Sequence, residues 1–367
     1  MKIPFLDLKA QYFSIKKEID QAIQNVIADT AFVKGKYVTE FEQNFANQFD
    51  VKHCIGVGNG TDAISLALKA LGLKIGDEVI TAANSFVATS EAITNVGGKV
   101  VFVDCDPETY TIDVNQIEAN ITEKTKGIIP VHLYGNPANM DIIMGLAEKY
   151  QLFVVEDNAQ GHLSEFRGQK TGTFGHIATY SFYPGKNLGA YGDAGAVVTN
   201  DDLLAKKVRM YANHGRTAKY DHEFEGMNSR MDGIQGAVLN VKLKYLEKWT
   251  NQRIWVAQKY KDYLKDVDQL VLPKESLQSR HVYHLYVVRT QKRDALAKFL
   301  EERGVQTGIH YPIALPNLSA YKYLGYSPMA FPIADSYQDL LLSLPVYPEM
   351  TEEMIQYVAD NIKEFFL

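Results

Sequence analysis

The sequence predicts an α/β fold: a mostly parallel seven-stranded sheet between helices, followed by a smaller α+β domain. Three observations carry this. The first two-thirds alternate short β-rich runs with helical patterns, a rhythm that builds a parallel sheet covered on both faces. The segment from about Met231 to Leu264 is helical throughout. A strand–helix–strand pattern then closes the chain. The expected strands are 53–57, 78–82, 100–104, 127–132, 152–156, 177–182 and 194–199, each rich in Val, Ile, Phe, Tyr or Ala. Between the first two, Ile64, Ala67, Leu68 and Leu71 recur at helical spacing, so residues 61–71 should form an amphipathic helix stopped by Gly72. In the tail, a strand is expected over 283–289, a helix over 292–303 stopped by Gly304, and a strand over 305–310. A Pro-rich loop should run from Tyr311 to Pro332, and a last helix should start near Thr351, whose Thr-Glu-Glu supplies a cap and first-turn acids. The expected division is a large domain over 1–245 and a small one over 246–367, with residues 1–14 free to pack on the latter.

Composition narrows the function. With 46% apolar and 22% charged residues, a net charge of −6 and no block of like charges, the chain offers no nucleic-acid-binding face. No run approaches the roughly 18 apolar residues of a membrane span, and the first residues lack a signal-peptide core, so a cytoplasmic protein is expected. Cys54 and Cys105 sit in apolar, strand-like runs and read as buried free thiols. The 22 tyrosines would suit flat or sugar-like ligands, although core packing accounts for them equally well.

Three segments carry chemistry. Gly56-Val-Gly-Asn-Gly-Thr-Asp-Ala stands between a strand and a helix, where free amides and small residues suit a phosphate. It lacks the final glycine of a dinucleotide fingerprint and the Gly-Lys-Ser/Thr of a P-loop, so the choice lies between a monophosphate cradle and a tight turn. Leu152-Phe-Val-Val-Glu-Asp-Asn-Ala-Gln delivers Asp157 to the carboxyl end of a strand, where open α/β sheets bind ligands. There the carboxylate could hold a pyridinium nitrogen, or merely cap the following turn; Gln160 is close enough to reach a ring substituent. Lys186 lies in Ser181-Phe-Tyr-Pro-Gly-Lys-Asn-Leu-Gly, among small, turn-forming residues. An amine held there can condense with an aldehyde, although most loop lysines are simply solvated.

Together the three segments resemble the fold type I enzymes that use pyridoxal 5′-phosphate (PLP), and specifically the DegT/DnrJ/StrS family of nucleotide-sugar aminotransferases. The similarity runs from Ile3-Pro-Phe-Leu-Asp-Leu to Leu344-Pro-Val-Tyr-Pro, through Gly58-Asn-Gly-Thr-Asp-Ala, Pro130-Val-His-Leu-Tyr-Gly, Glu156-Asp-Asn-Ala-Gln, Asn228-Ser-Arg-Met-Asp and Ile309-His-Tyr-Pro. The resemblance implies that Lys186 forms the Schiff base and shuttles the proton, that Asp157 holds the ring nitrogen, and that Gln160 bonds the ring hydroxyl. It implies phosphate binding by Gly60, Thr61 and Ser181, stacking by Phe86, and Asn228 reaching in from a second subunit of a homodimer. Relatives that dehydrate sugars carry histidine where Lys186 stands, so amino transfer is implied. No metal is called for.

The run from Ser181 to Gly195 is similar to members that aminate C3 of a 3-keto sugar nucleotide; members acting on 4-keto sugars more often have histidine where Tyr183 sits. Tyr183, Arg230, His310 and Tyr311 are the candidates for sugar or diphosphate contact, arginine because its planar fork can bond two oxygens. His310 reads equally as a structural residue at a strand end. Ala314 and Pro316 depart from the family's usual proline and histidine in this loop. The expectation is a dTDP-3-keto-6-deoxyhexose as acceptor and glutamate as donor. The alternatives are a 4-keto sugar nucleotide, a UDP-linked N-acetylated 3-keto sugar, or a PLP-binding regulator or scaffold.

Overall fold

Each of the seven β-rich runs forms a strand, and all seven lie in one sheet: β1 (His53–Val57), β2 (Glu78–Ala82), β3 (Lys99–Val103), β4 (Thr125–Ile129), β5 (Phe153–Asp157), β6 (Ile177–Ser181) and β7 (Gly195–Thr199). The computed structural model describes residues 1–367. Spatial order is β1-β7-β6-β5-β4-β2-β3, with parallel pairing from β3 through to β6. Only β7 runs against the rest, pairing antiparallel with β1 and β6. The strands are buried on both faces, as parallel strands under helices must be.

Small departures from expectation have local causes. Asp104 leaves the β3 ladder because its buried carboxylate is used elsewhere, accepting the amides of Cys105, Ile333 and Ala334 at the start of the helix Pro332–Tyr337. β4 stops at Ile129 because Pro130 has no amide to give; Val131 then rejoins the sheet through a single bridge to Asp157. Gly127 in β4 is needed for close approach, since a Cβ there would stand 2.0 Å from the Phe153 ring. The helix Gly60–Ala70 ends before Gly72, whose φ is +84°. Its burial corrects the one-faced expectation: from Ala63 to Leu68 every side chain is buried, because helices as well as the sheet pack around it.

The tail holds the helices Leu246–Leu264, Arg293–Glu302 and Glu352–Phe366 and the antiparallel pair Tyr286–Arg289 and Leu341–Leu344. The expected strand over 305–310 is reduced to two bridges, Val305 to Ile3 and Gly308 to Ser343. The chain's own beginning occupies that edge: the Ile3 amide donates to the Gly304 carbonyl, the Ile3 carbonyl accepts the Gln306 amide, and the Gln306 side chain accepts the Phe5 amide. The strand Leu341–Leu344 was hidden in a short apolar run without alternation. A core of its own gathers Ile3 with residues from Val256 to Ile362. Thr351 caps the last helix, accepting the Met354 amide at 3.3 Å. Both cysteines are free and buried, and burial pushes their thiols well above the usual range. No helix is long and apolar enough to cross a membrane.

Candidate active site

A cavity of about 880 Å³ opens where β2, β4, β5 and β6 end, between the sheet's carboxyl edge and the residues 284–285, 310–311 and 346 of the tail. It is lined by Gly60, Thr61, Phe86, Asp157, Gln160, Ser181, Tyr183, Lys186, His310 and Tyr311, ten of the residues singled out from the sequence. A wider groove of about 1200 Å³, lined by Leu71, Lys126, Phe153 and His176, contains none of them.

One end of the cavity suits a phosphate. Asn59 caps the helix Gly60–Ala70, its Oδ1 accepting the Asp62 amide at 2.8 Å. The amides of Gly60 and Thr61, first in the helix, have no acceptor within it. A Cβ on Gly60 would lie 2.7 Å from the Ser181 Cβ, so only glycine lets the helix start and the end of β6 close around a small anion.

At the other end Asp157 is 4% exposed. Its Oδ1 accepts the Ala159 amide at 3.1 Å, the turn-capping bond of the plainer reading, yet the carboxylate still faces the cavity. Its Oδ2 accepts the Thr89 hydroxyl at 2.7 Å. Gln160 is clamped, with Oε1 accepting the Tyr134 amide at 2.6 Å and Nε2 donating to the Tyr311 hydroxyl at 3.1 Å. Phe86 stands half exposed, 5.7 Å from the Tyr311 ring, and forms one wall.

Lys186 sits in a turn closed by its own amide, which donates to the Tyr183 carbonyl at 2.8 Å. Burial lowers its ammonium to about 8, with Asp157 opposing the shift. The neighbouring imidazoles are kept neutral: burial holds His162 at about 3 and His310 at about 4, and pushes His284 well below its usual range, with the Lys186 charge adding to each. His310 shares a 2.8 Å hydrogen bond between Nδ1 and the Ser343 hydroxyl and stacks on Phe5, so it is both a satisfied strand-edge histidine and a cavity wall. Tyr183 lines the mouth and is 60% exposed.

Asn228 and Arg230 are not brought to this cavity. Asn228 bridges to Asn213, and the Arg230 NH1 donates to the Asn213 side chain at 3.2 Å while its Nε is buried without a partner. The adjoining Asp232 pairs with Val33, which with Phe32 is exposed. Thr89, Arg253 and His284 line the cavity without any role having been assigned to them from the sequence, although Thr89 ends the run Asn84-Ser-Phe-Val-Ala-Thr that holds Phe86. Thr89 and Arg253 lie inside helices, where sequence shows only a face, and each becomes a site residue through contacts remote in the chain. Arg253 is 3% exposed and donates through NH1 to the carbonyls of Tyr283, His284 and Val346.

A phosphate cradle, a strand-end carboxylate and a desolvated amine thus share one cavity, and the chain matches the model of the DegT/DnrJ/EryC1/StrS aminotransferase family over residues 13–363. The chain belongs to that family. Among its relatives is the "Pleiotropic regulatory protein" of Geobacillus stearothermophilus, 46% identical over 100% of this chain and 99% of the relative. The dTDP-3-amino-3,6-dideoxy-alpha-D-galactopyranose transaminase of Aneurinibacillus thermoaerophilus is 40% identical over 99% of each chain. The UDP-N-acetyl-3-dehydro-alpha-D-glucosamine 3-aminotransferase of Acidithiobacillus ferrooxidans is 40% identical over 98% of this chain and 97% of the relative. The crystal structure of Streptomyces venezuelae DesV with a ketimine intermediate superposes with a TM-score of 0.97 at 39% identity, covering 99% of this chain and 98% of that one. This DegT/DnrJ/EryC1/StrS member is therefore a PLP-dependent sugar-nucleotide aminotransferase of fold type I. The residues present fit the cofactor: free helix-start amides and the Gly60–Ser181 approach for its phosphate, Asp157 for its ring, Lys186 for its aldehyde.

Proposed function

We propose that the enzyme transfers the amino group of glutamate to the C3 keto carbon of a dTDP-3-keto-6-deoxyhexose, giving a dTDP-3-amino-3,6-dideoxyhexose and 2-oxoglutarate in the cytoplasm. The observation that carries amino transfer is Lys186 in the same cavity as Asp157, with burial bringing its amine toward neutrality. The cofactor, when bound, supplies an electrophilic aldehyde and a ring that accepts electrons. Gly60, Thr61 and Ser181 bind its phosphate; Phe86 covers the ring, and Gln160 meets the ring hydroxyl. Asp157 would face the ring nitrogen and hold its proton. Lys186 Nζ takes the proton from the donor's α carbon and later delivers one to C3 of the sugar. Tyr183, His310 and Tyr311 are assigned to the sugar from this chain. Asn228 and Arg230 are assigned to a second copy's site, to cofactor phosphate and sugar diphosphate respectively, in a homodimer with shared sites.

Support for the C3, dTDP-linked acceptor is the Aneurinibacillus relative and the presence of tyrosine, not histidine, at 183. The Acidithiobacillus relative favours a second reading, a UDP-linked N-acetylated 3-keto sugar. The test supplies purified enzyme and glutamate with dTDP-3-keto, dTDP-4-keto and UDP-N-acetyl-3-keto sugars, and locates the new C–N bond by NMR. Amination of the dTDP-3-keto sugar at C3 with the highest kcat/KM is expected. Preference for either other sugar replaces the acceptor assignment, and no half-reaction with glutamate would leave the regulator or scaffold.

A further inference from the structure

We infer that Thr89 is a positioning residue for the carboxylate assigned to the ring: its hydroxyl fixes Asp157 in its cavity-facing orientation. Thr89 is 1% exposed and lies in the first turn of the helix Val87–Asn95. A hydroxyl there ordinarily bonds back to a carbonyl of its own helix. Its neighbours do this: Ser90 donates to the Val87 carbonyl at 3.0 Å, and Thr94 to that of Glu91 at 3.0 Å. Thr89 instead crosses to Asp157 Oδ2 at 2.7 Å, a partner 68 positions away in sequence. The Ser85 hydroxyl, also buried, stands 3.4 Å behind it, placed to donate to the oxygen that Thr89 leaves free.

The direction of that bond is fixed by chemistry. An ionised carboxylate only accepts, so the Thr89 proton points at Asp157. A hydrogen bond from a buried hydroxyl to one carboxylate oxygen holds one carboxylate rotamer. With Oδ1 tied to the Ala159 amide and Oδ2 to Thr89, the carboxylate plane is set from two sides before any ligand arrives. A rotated Asp157 would not present its oxygen to a pyridine nitrogen, so the hydroxyl acts on the reaction through the carboxylate's orientation. The inference rests on the reading that Asp157 meets the ring nitrogen.

The test uses holoenzyme carrying PLP labelled with ¹⁵N in the ring, whose resonance reports protonation of that nitrogen. In Thr89→Val, close to isosteric without the hydroxyl, the resonance should move toward the unprotonated position. The half-reaction with glutamate should slow roughly ten- to hundredfold, the cost of one hydrogen bond to a charged group. Thr89→Ser, which keeps the hydroxyl, should restore both. Asp157→Asn in the same measurement separates the two claims. If it leaves the resonance unmoved, the ring assignment of Asp157 falls and this inference with it. If Asp157→Asn moves it while Thr89→Val does not, or if Thr89→Ser behaves like Thr89→Val, only the role given to Thr89 is overturned.

Discussion

A single buried amine sets the reactivity of this site. Lys186 has its ammonium lowered to about 8 because burial penalises the charge, and Asp157 recovers only part of it. An attacking amine must be neutral, so capture of PLP by apoenzyme should accelerate roughly tenfold per pH unit below about pH 8 and level off above it. Stopped-flow absorbance of apoenzyme mixed with PLP measures this; a rate still climbing steeply toward pH 10 would mean an unperturbed, solvated lysine. Linkage has the same sign. The folded group releases its proton at about 8 whereas the unfolded lysine holds it to the ordinary 10.5, so the penalty of burying this amine is relieved as pH rises between those values. At this scale the sequence was most legible where a residue does its work beside its own neighbours, as Lys186 and Asp157 do in turns. It was least legible for Thr89, whose partner lies on another element, and for Arg253, whose carbonyl acceptors come from two other segments.

Elements are legible to the extent that one face decides them. The seven strands were readable because burial on both faces leaves near-continuous apolar runs. Pro130 and Asp104 moved strand ends because one lacks a donor and the other caps a distant helix. The segment 305–310 read as a strand, but the chain's own start took its edge, a tertiary competition that no local pattern records. The phosphate cradle belongs to this scale, since it is a helix start pressed against the end of β6. Gly60→Ala would set a Cβ 2.7 Å from that of Ser181 and push the two apart. Its PLP dissociation constant should rise by about tenfold or more, the order of one lost charge-assisted hydrogen bond, with little change in the far-ultraviolet circular dichroism of the apoenzyme. Unchanged affinity by equilibrium titration would place the phosphate elsewhere.

For the whole molecule, two of the proposed site residues lie apart from the rest. The cavity contains Lys186, Asp157, Gly60, Thr61 and Ser181, while Asn228 and Arg230 lie outside it, both against Asn213. If a second copy supplies Asn228, then Lys186→Ala and Asn228→Ala, each strongly impaired alone, should regain activity when co-expressed, because mixed dimers carry one complete site. No gain above the sum of the separate variants, with mixed dimers demonstrated by mass spectrometry, would confine each site to one chain. Identity of the sugar was the least legible property, since relatives of about 40% identity act on both dTDP- and UDP-linked sugars and no one motif separates them. All of this depends on Lys186 being the amine that meets the cofactor. The direct measurement is to incubate the protein with PLP, reduce with borohydride and map the modified peptide. The account predicts one pyridoxyl group per chain on Lys186 and none in Lys186→Ala; modification at another lysine, or none in the wild type, would contradict it.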